Sequence, residues 1–294
     1  MSDLVAVDWG TSSLRAARIA RDGAVLDERS FPRGILTVPA GGFAQVLQET
    51  CGDWLADGTL CLVSGMAGSR QGWREAPYCA CPAGFDELAS ALLWIEPRRI
   101  AIVPGLSCEQ AGVPDVIRGE EVQVFGAMDL LGRREGTFVL PGTHSKWVRV
   151  EDGRVQSFAT FISGEVYALL RQHSILARTM QADDGELHEP AFVQGVQHAQ
   201  QGGSLLRSAF SARTLALFGR LPPEEGPSYL SGLVIGEELR LRDDEVQDLV
   251  LIGSPALTQR YLLALRTVGC DSHALGSQAT WRGLWALARN LETA

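Results

Sequence analysis

The sequence predicts an α/β protein of two related domains, on three observations. Gly10, Thr11 and Ser13 recur as Gly142, Thr143 and Ser145, at a constant offset of 132 residues. Each copy reads strand, Gly-Thr-x-Ser turn, strand: Leu4 to Asp8 then Leu14 to Ile19, and Thr137 to Leu140 then Lys146 to Val150. Outside the hairpins, short apolar runs alternate with helical periods, as expected of strands buried on both faces of a partly parallel sheet. Tight glycine turns gather backbone N–H groups into anion-binding concavities, so two such hairpins facing one another would grip a polyphosphate.

The elements follow in order. After the first hairpin, Phe43, Val46, Leu47, Trp54 and Leu55 fall at near-helical spacing within Gly41 to Leu55. Leu60 to Val63 reads as a buried strand running into Ser64-Gly65-Met66-Ala67-Gly68-Ser69-Arg70, a loop of small residues. A helix is expected over Phe85 to Ile95 and a buried strand over Arg99 to Val103. A second domain begins near Asp115, giving expected domains 1–114 and 115–294. Its first helix, Gly119 to Leu131, leads into the second hairpin. Helices are then expected at Glu165 to Thr179, Phe192 to Gln200, Ser204 to Phe218 and Ser228 to Leu241. A strand at Asp248 to Ile252 runs into Gly253-Ser254-Pro255, with helices at Ala256 to Val268 and Gln278 to Leu291.

At 294 residues the chain is long for one hydrophobic core and comfortable for two. Its 46% apolar and 21% charged content fits a globular protein, and its net charge of −9 offers no basic face for nucleic acid. The N-terminus has no basic flank or apolar signal core, and no apolar run approaches the ~20 residues that span a bilayer. A cytoplasmic protein with no membrane partner is expected. Six cysteines occur without a Cys-x-x-Cys pair, which favours buried thiols over metal or disulfide. Of the 26 basic residues only Lys146 is lysine, and it directly follows the second turn. A compact ammonium suits a phosphate oxygen where the planar guanidinium does not fit.

There is no Gly-x-x-x-x-Gly-Lys-Ser/Thr loop, no Gly-x-Gly-x-x-Gly after a strand, and no protein-kinase signature. The remaining pattern is paired phosphate hairpins, Asp8 to Ser13 and Gly142 to Lys146, with a strand-Gly-helix segment at Leu251-Ile252-Gly253-Ser254. In all three places the chain resembles the superfamily of actin, sugar kinases and heat-shock chaperones. The resemblance implies two actin-like, ribonuclease H-like domains with a nucleotide cleft between them. Finer features resemble one family within it, the 2-dehydro-3-deoxygalactonokinases. They are Val7 to Gly10, Ser64 to Ser69, Gly72-Trp73, Ala76-Pro77-Tyr78, Val103 to Leu106, Arg118-Gly119-Glu120-Glu121, Pro141 to Trp147 and Ser231 to Gly236. That resemblance implies ATP-dependent phosphorylation of the terminal hydroxyl of 2-dehydro-3-deoxy-D-galactonate, in D-galactonate breakdown.

Phosphoryl transfer requires charge neutralisation, in-line positioning and an acceptor hydroxyl that loses its proton. Asp8, ending a strand, is suited to hold Mg²⁺ through water. Gly10, Thr11 and Ser12 would present amides and hydroxyls to the phosphates of ATP; Gly142, Thr143 and Ser145 would do so from the other side, with Lys146 adding charge. Gly253 and Ser254 would bound the adenosine. Related sugar kinases place a base aspartate at the start of the helix before the second hairpin, but here that place falls near Gly119. Glu120 is the first choice of base, followed by Glu121 and Asp115. Arg70 is a candidate for the substrate carboxylate, Arg118 for the carboxylate or a phosphate, and Trp73 for a wall of the sugar site. His144 is assigned a structural part in its turn.

Other readings compatible with the residues are a superfamily kinase for another sugar or sugar acid, a non-enzymatic actin-like ATP-binding module, and a phosphatase of the same fold. The partner expected is a small sugar acid. Epimer preference, and whether the chain forms a homodimer, are left open by the sequence.

Overall fold

The central strand of the first sheet, β1 (Leu4–Trp9), is buried along its whole length except at half-buried Asp8. It is flanked antiparallel by β2 (Leu14–Ile19) on one side and parallel by β4 (Leu60–Gly65) on the other, and Val5, Val7 and Trp9 share a core with Phe43, Val46 and Leu47. The structure, a computed structural model, describes residues 3–55, 58–240 and 248–293. Beyond β2 the chain continues through β3 (Val25–Phe31), α1 (Phe43–Cys51), β4 (Leu60–Gly65), β5 (Tyr78–Ala80), α2 (Phe85–Ser90), β6 (Leu93–Glu96) and β7 (Ile100–Ile102). Next come β8 (Gly105–Gln110), β9 (Val113–Ile117) and α3 (Glu120–Leu131). The main sheet has the order β3-β2-β1-β4-β7-β6, and β5-β8-β9 form a small separate sheet.

The second half repeats the plan with β10 (Gly136–Leu140), β11 (Ser145–Glu151), β12 (Arg154–Phe161), α4 (Ser163–His173), α5 (Glu189–Gln200), α6 (Leu205–Ser208), α7 (Ser211–Leu217) and α8 (Gly226–Arg240). It ends with β13 (Leu249–Ile252), α9 (Pro255–Thr267), β14 (Ser272–Leu275) and α10 (Gln278–Thr293). Its sheet order is β12-β11-β10-β13-β14, the same path as β3-β2-β1-β4-β7. In both sheets the strand entering the glycine turn has a parallel neighbour from later in the chain: β4 beside β1, β13 beside β10. The repeat read from two turns is thus a repeat of topology, and the fold is the expected actin-like α/β class.

The chain forms two compact units, one of Met1–Gly136, Val148–Ala159 and Leu275–Ala294, the other of Thr137–Trp147 and Thr160–Ala274. This division differs from the expected 1–114 and 115–294, since α3 and α10 both pack within the first unit. A Cβ built on Gly126 of α3 would lie 1.8 Å from the Ala279 carbonyl oxygen of α10, and one on Gly283 would lie 1.8 Å from that of Val122. The two helices therefore touch backbone to backbone. In the second unit α5 and α8 do the same, with Gly195 against the Tyr229 carbonyl and Gly232 against that of Phe192. Helix α8 is buried around nearly its whole circumference.

Several elements differ from expectation. The helix expected over Phe85 to Ile95 stops at Ser90, and Leu93–Glu96 turn into an edge strand antiparallel to β7. Trp94 and Ile95 suit a pleated edge, and α2 itself fully buries only Leu88. Strand β3, with Asp27, Glu28 and Arg29 at its centre, is mostly exposed, so it carries little apolar signal. Ser204 to Phe218 divides into α6 and α7. Leu241, the expected end of α8, lies outside the described residues.

Gly126→Ala is expected to lower unfolding stability by about 3 kcal/mol, the upper range for forced overpacking, because a backbone oxygen has no rotamer with which to yield. Urea denaturation of the pure protein measures it. An unchanged midpoint would mean that α3 and α10 part without cost.

Candidate active site

In the first unit the carboxyl end of β1 and the start of α3 meet through two glycines. Gly65, at φ +89°, ends β4, and a Cβ there would lie 2.9 Å from the Trp9 carbonyl oxygen and 3.3 Å from Asp8 Oδ1. Gly119, at φ +104°, would place its own Cβ 3.1 Å from Gly65 Cα. Only glycine fits positive φ and so close an approach together. The Asp8 side chain is 16% exposed and paired with Arg15 through Oδ2.

The first turn of α3 carries two acids that cap its own entrance. Glu120 accepts from the Arg118 amide at 2.9 Å, and Glu121 from the Gly119 amide at 2.7 Å. Amides at a helix start otherwise lack partners, and the helix dipole favours negative charge there. Their environments differ. Glu121 is fully buried with Oε1 unpartnered; burial, reinforced by the charge of Glu120, pushes it up to about 8. Such a carboxyl favours its protonated form near neutral pH. Glu120 is half-buried. Asp115 sits on β9 opposite Cys108 and bonds the Val116 amide at 2.7 Å.

Of the two candidate arginines, Arg70 is 85% exposed beside Glu75 at 3.5 Å, the setting of a solvated loop side chain. Arg118 is 9% exposed: Nη2 donates to the Ala76 carbonyl at 2.8 Å, and the guanidinium lies 4.2 Å from the Tyr78 ring centroid. Among the described residues its Nε and Nη1 have no partner, and neither does the buried hydroxyl of Ser64. Buried donors without partners are uncommon and call for an explanation. Trp73 stacks on Phe43 at 6.2 Å between ring centroids and meets Trp9 edge-on, so it is tied to the core. In the first hairpin the Gly10 amide bonds the Ser13 carbonyl at 2.9 Å, while Thr11, Ser12 and Ser13 are exposed.

In the second unit, Thr143 and His144 are the exposed tip of the second hairpin. The turn rests on α4, where a Cβ on Gly164 would lie 2.4 Å from the Gly142 carbonyl oxygen. The Glu165 amide bonds the Thr143 carbonyl at 3.0 Å, and Glu165 meets His144 Nε2 at 2.7 Å, which gives His144 a turn-fixing contact. Ser145 and Lys146 point to opposite faces, as strand alternation requires. Ser145 is buried and donates to Glu238 at 2.7 Å, so its hydroxyl is committed to the interior. Lys146, 7% exposed, donates to Thr160 Oγ1 at 2.9 Å.

A cavity of about 230 Å³ lies beside this hairpin, lined by Gly142, Gly164, Tyr167, Ser231, Arg260 and Tyr261 among others. Arg260 donates to Ser231 Oγ at 3.1 Å. Burial beside Asp184 raises the Tyr167 phenol above its usual range. Gly253 and exposed Ser254 lie between β13 and α9; Leu257, one turn into α9, reaches the cavity wall. Tyr167, Arg260, Tyr261 and Glu238 were missed by sequence reasoning. None stands in a short motif, and each reaches its place through tertiary packing. Ser231 carried a signal only as part of the Ser231 to Gly236 segment.

The family described as 2-keto-3-deoxy-galactonokinase matches residues 8–287. A Rhizobium meliloti (strain 1021) protein named "Probable 2-dehydro-3-deoxygalactonokinase DgoK1" is 38% identical over 97% of this chain and 96% of its own length. The Escherichia coli (strain K12) 2-dehydro-3-deoxygalactonokinase is 33% identical over 97% of each chain. A crystal structure from Sinorhizobium meliloti bearing the same enzyme name superposes with a TM-score of 0.89 at 36% identity, covering 98% of this chain and 99% of the other.

Glu121 has a consequence for stability. Between its unfolded value near 4.5 and its folded value of about 8, the folded state holds a proton that the unfolded state has lost. Its contribution to stability therefore falls as pH rises through that window. Glu121→Gln removes this dependence, so its melting temperature relative to wild type should rise by several degrees from about pH 5 to about pH 8. A constant difference across that range would mean that Glu121 is already ionised.

Proposed function

The chain belongs to the 2-keto-3-deoxy-galactonokinase family and is a sugar-acid kinase, and we propose that it transfers the γ-phosphoryl group of ATP to the terminal 6-hydroxyl of 2-dehydro-3-deoxy-D-galactonate. The observation that carries the site assignment is the start of α3. A buried guanidinium with unfilled donors, Arg118, lies two residues before a capping carboxylate, Glu120. An acidic sugar needs both a cation for its carboxylate and an acceptor for the hydroxyl proton.

Arg118 anchors the substrate carboxylate through Nε and Nη1, held ready by Ala76 and Tyr78. Glu120 takes the proton of the terminal hydroxyl as the new bond forms, and a loose transition state lets that transfer come late. Trp73 walls the sugar from behind. In the first hairpin, Gly10, Thr11 and Ser12 receive phosphate oxygens on amides and hydroxyls. In the second, Gly142 and Thr143 are suited to the same task, whereas Ser145 and Lys146 act from beneath it. The adenosine occupies the cavity beside Gly142, with Gly253 and Ser254 at the start of α9.

Asp8 fits Mg²⁺ as a single partly accessible carboxylate at a strand end, since magnesium takes one or two carboxylates and fills its shell with phosphate oxygens and water. The ion would supply charge neutralisation at the transferred phosphoryl group.

An ADP-release assay with Mg·ATP across 2-keto-3-deoxy sugar acids, the gluconate-derived epimer included, tests the function. Turnover is expected on the galactonate-derived acid, and none on any acid would overturn the substrate reading.

Two substitutions separate the roles at α3. Glu120→Gln should lower kcat by roughly 100- to 10,000-fold with sugar-acid KM within a few-fold. Arg118→Gln should instead raise sugar-acid KM by at least about tenfold, through loss of a charge-assisted contact. Steady-state kinetics measures both, and exchanged phenotypes would reverse the two assignments.

A further inference from the structure

Glu238, on the buried helix α8, is 2% exposed and has no arginine or lysine among its hydrogen-bond partners. Its carboxylate is instead held by four neutral donors. Oε1 accepts from Ser145 Oγ at 2.7 Å and Trp147 Nε1 at 2.7 Å, both on β11. Oε2 accepts from Ser163 Oγ, at the start of α4, and from the Tyr261 hydroxyl on α9 at 2.8 Å. A buried charge is costly unless its acceptor sites are filled, and here both oxygens are.

The donors belong to three elements that meet at the second hairpin. Ser145 follows its turn; Ser163 and Tyr261 line the cavity beside Gly142. Gly164, next to Ser163, is the residue on which the Gly142 carbonyl rests. We infer that Glu238 is a positioning residue for the nucleotide: one carboxylate fixes the phosphate hairpin, the start of α4 and the Tyr261 wall in a single arrangement. This rests on assigning the cavity to the adenosine of ATP. Glu238 itself does not line the cavity, and its effect passes through Ser145, Ser163 and Tyr261.

Isothermal titration of the full-length protein with ADP, and separately with the sugar acid, tests this in Glu238→Gln and Trp147→Phe. Glu238→Gln keeps the shape but replaces one acceptor oxygen with a donor, so the ADP Kd should rise about tenfold or more while the sugar-acid Kd stays within about twofold. Trp147 donates to Glu238 without lining the cavity, so Trp147→Phe should raise the ADP Kd about threefold, again sparing the sugar acid. Kinetics should show the loss in KM for ATP ahead of kcat. A normal ADP Kd in folded Glu238→Gln overturns the inference, as does an equal loss of both ligands. If Glu238→Gln does not fold, Trp147→Phe decides, and an unchanged ADP Kd overturns it. Wild-type protein that fails to bind ADP would refute the nucleotide assignment itself, a result visible before any variant is made.

Discussion

At Gly65 and Gly119 two stretches of backbone approach so closely that a Cβ on Gly119 would lie 3.1 Å from Gly65 Cα, and the placing of the start of α3 depends on that contact. It brings the start of α3, with Arg118 and Glu120, against the strand end that carries Asp8. A Cβ on Gly65 would press on the Trp9 carbonyl at 2.9 Å, and one on Gly119 on Gly65 Cα at 3.1 Å, each at a positive φ that side chains rarely adopt. The same device recurs elsewhere: Gly126 and Gly283 join α3 to α10, Gly195 and Gly232 join α5 to α8, and Gly164 seats the second hairpin. Side-chain packing fixes where elements lie; these contacts fix how near they come.

Burial then differentiates the charged groups that this closeness assembles. Glu120 and Glu121 are adjacent on the same helix turn, yet one stays partly in solvent while the other is driven by burial to keep its proton. Arg118 and Glu238 show a second contrast. The buried carboxylate of Glu238 has both oxygens satisfied by the protein, as befits a structural centre. The buried guanidinium of Arg118 has two donors, Nε and Nη1, without a partner among the described residues.

The sequence made legible whatever depends on local geometry. The Gly-Thr-x-Ser turns announced both hairpins, and their offset announced the shared sheet order, because a tight turn constrains residue type within a few positions. Arg118 and Glu120 flank Gly119, at φ +104°, so their nearness to a helix start could be read locally, whereas the contact of Asp8 with Gly65 is made only by the folded chain. Strands β3 and β6 were not legible: one is a charged edge and the other continues a helical-looking run, so neither shows the period of its final state. Glu238 was invisible because its meaning lies in Ser145, Ser163 and Tyr261, which only the folded chain brings together. Arg70 and Arg118 looked alike as loop arginines, and burial alone distinguishes them.

The repeat is also unequal, and its inequality divides the labour. At the offset of 132, Asp8 corresponds to Leu140, Leu14 to Lys146 and Arg15 to Trp147. The glycine turns are kept in both copies, since any phosphate hairpin needs their amides. The carboxylate that pairs with Arg15 in the first copy is replaced by a buried leucine in the second. Where the first copy has Arg15 facing Asp8, the second has Trp147 donating to Glu238, which turns that strand inward towards a structural acceptor. One copy thus carries an ion pair, Asp8 with Arg15, where its counterpart is fastened to a buried carboxylate beside a cavity.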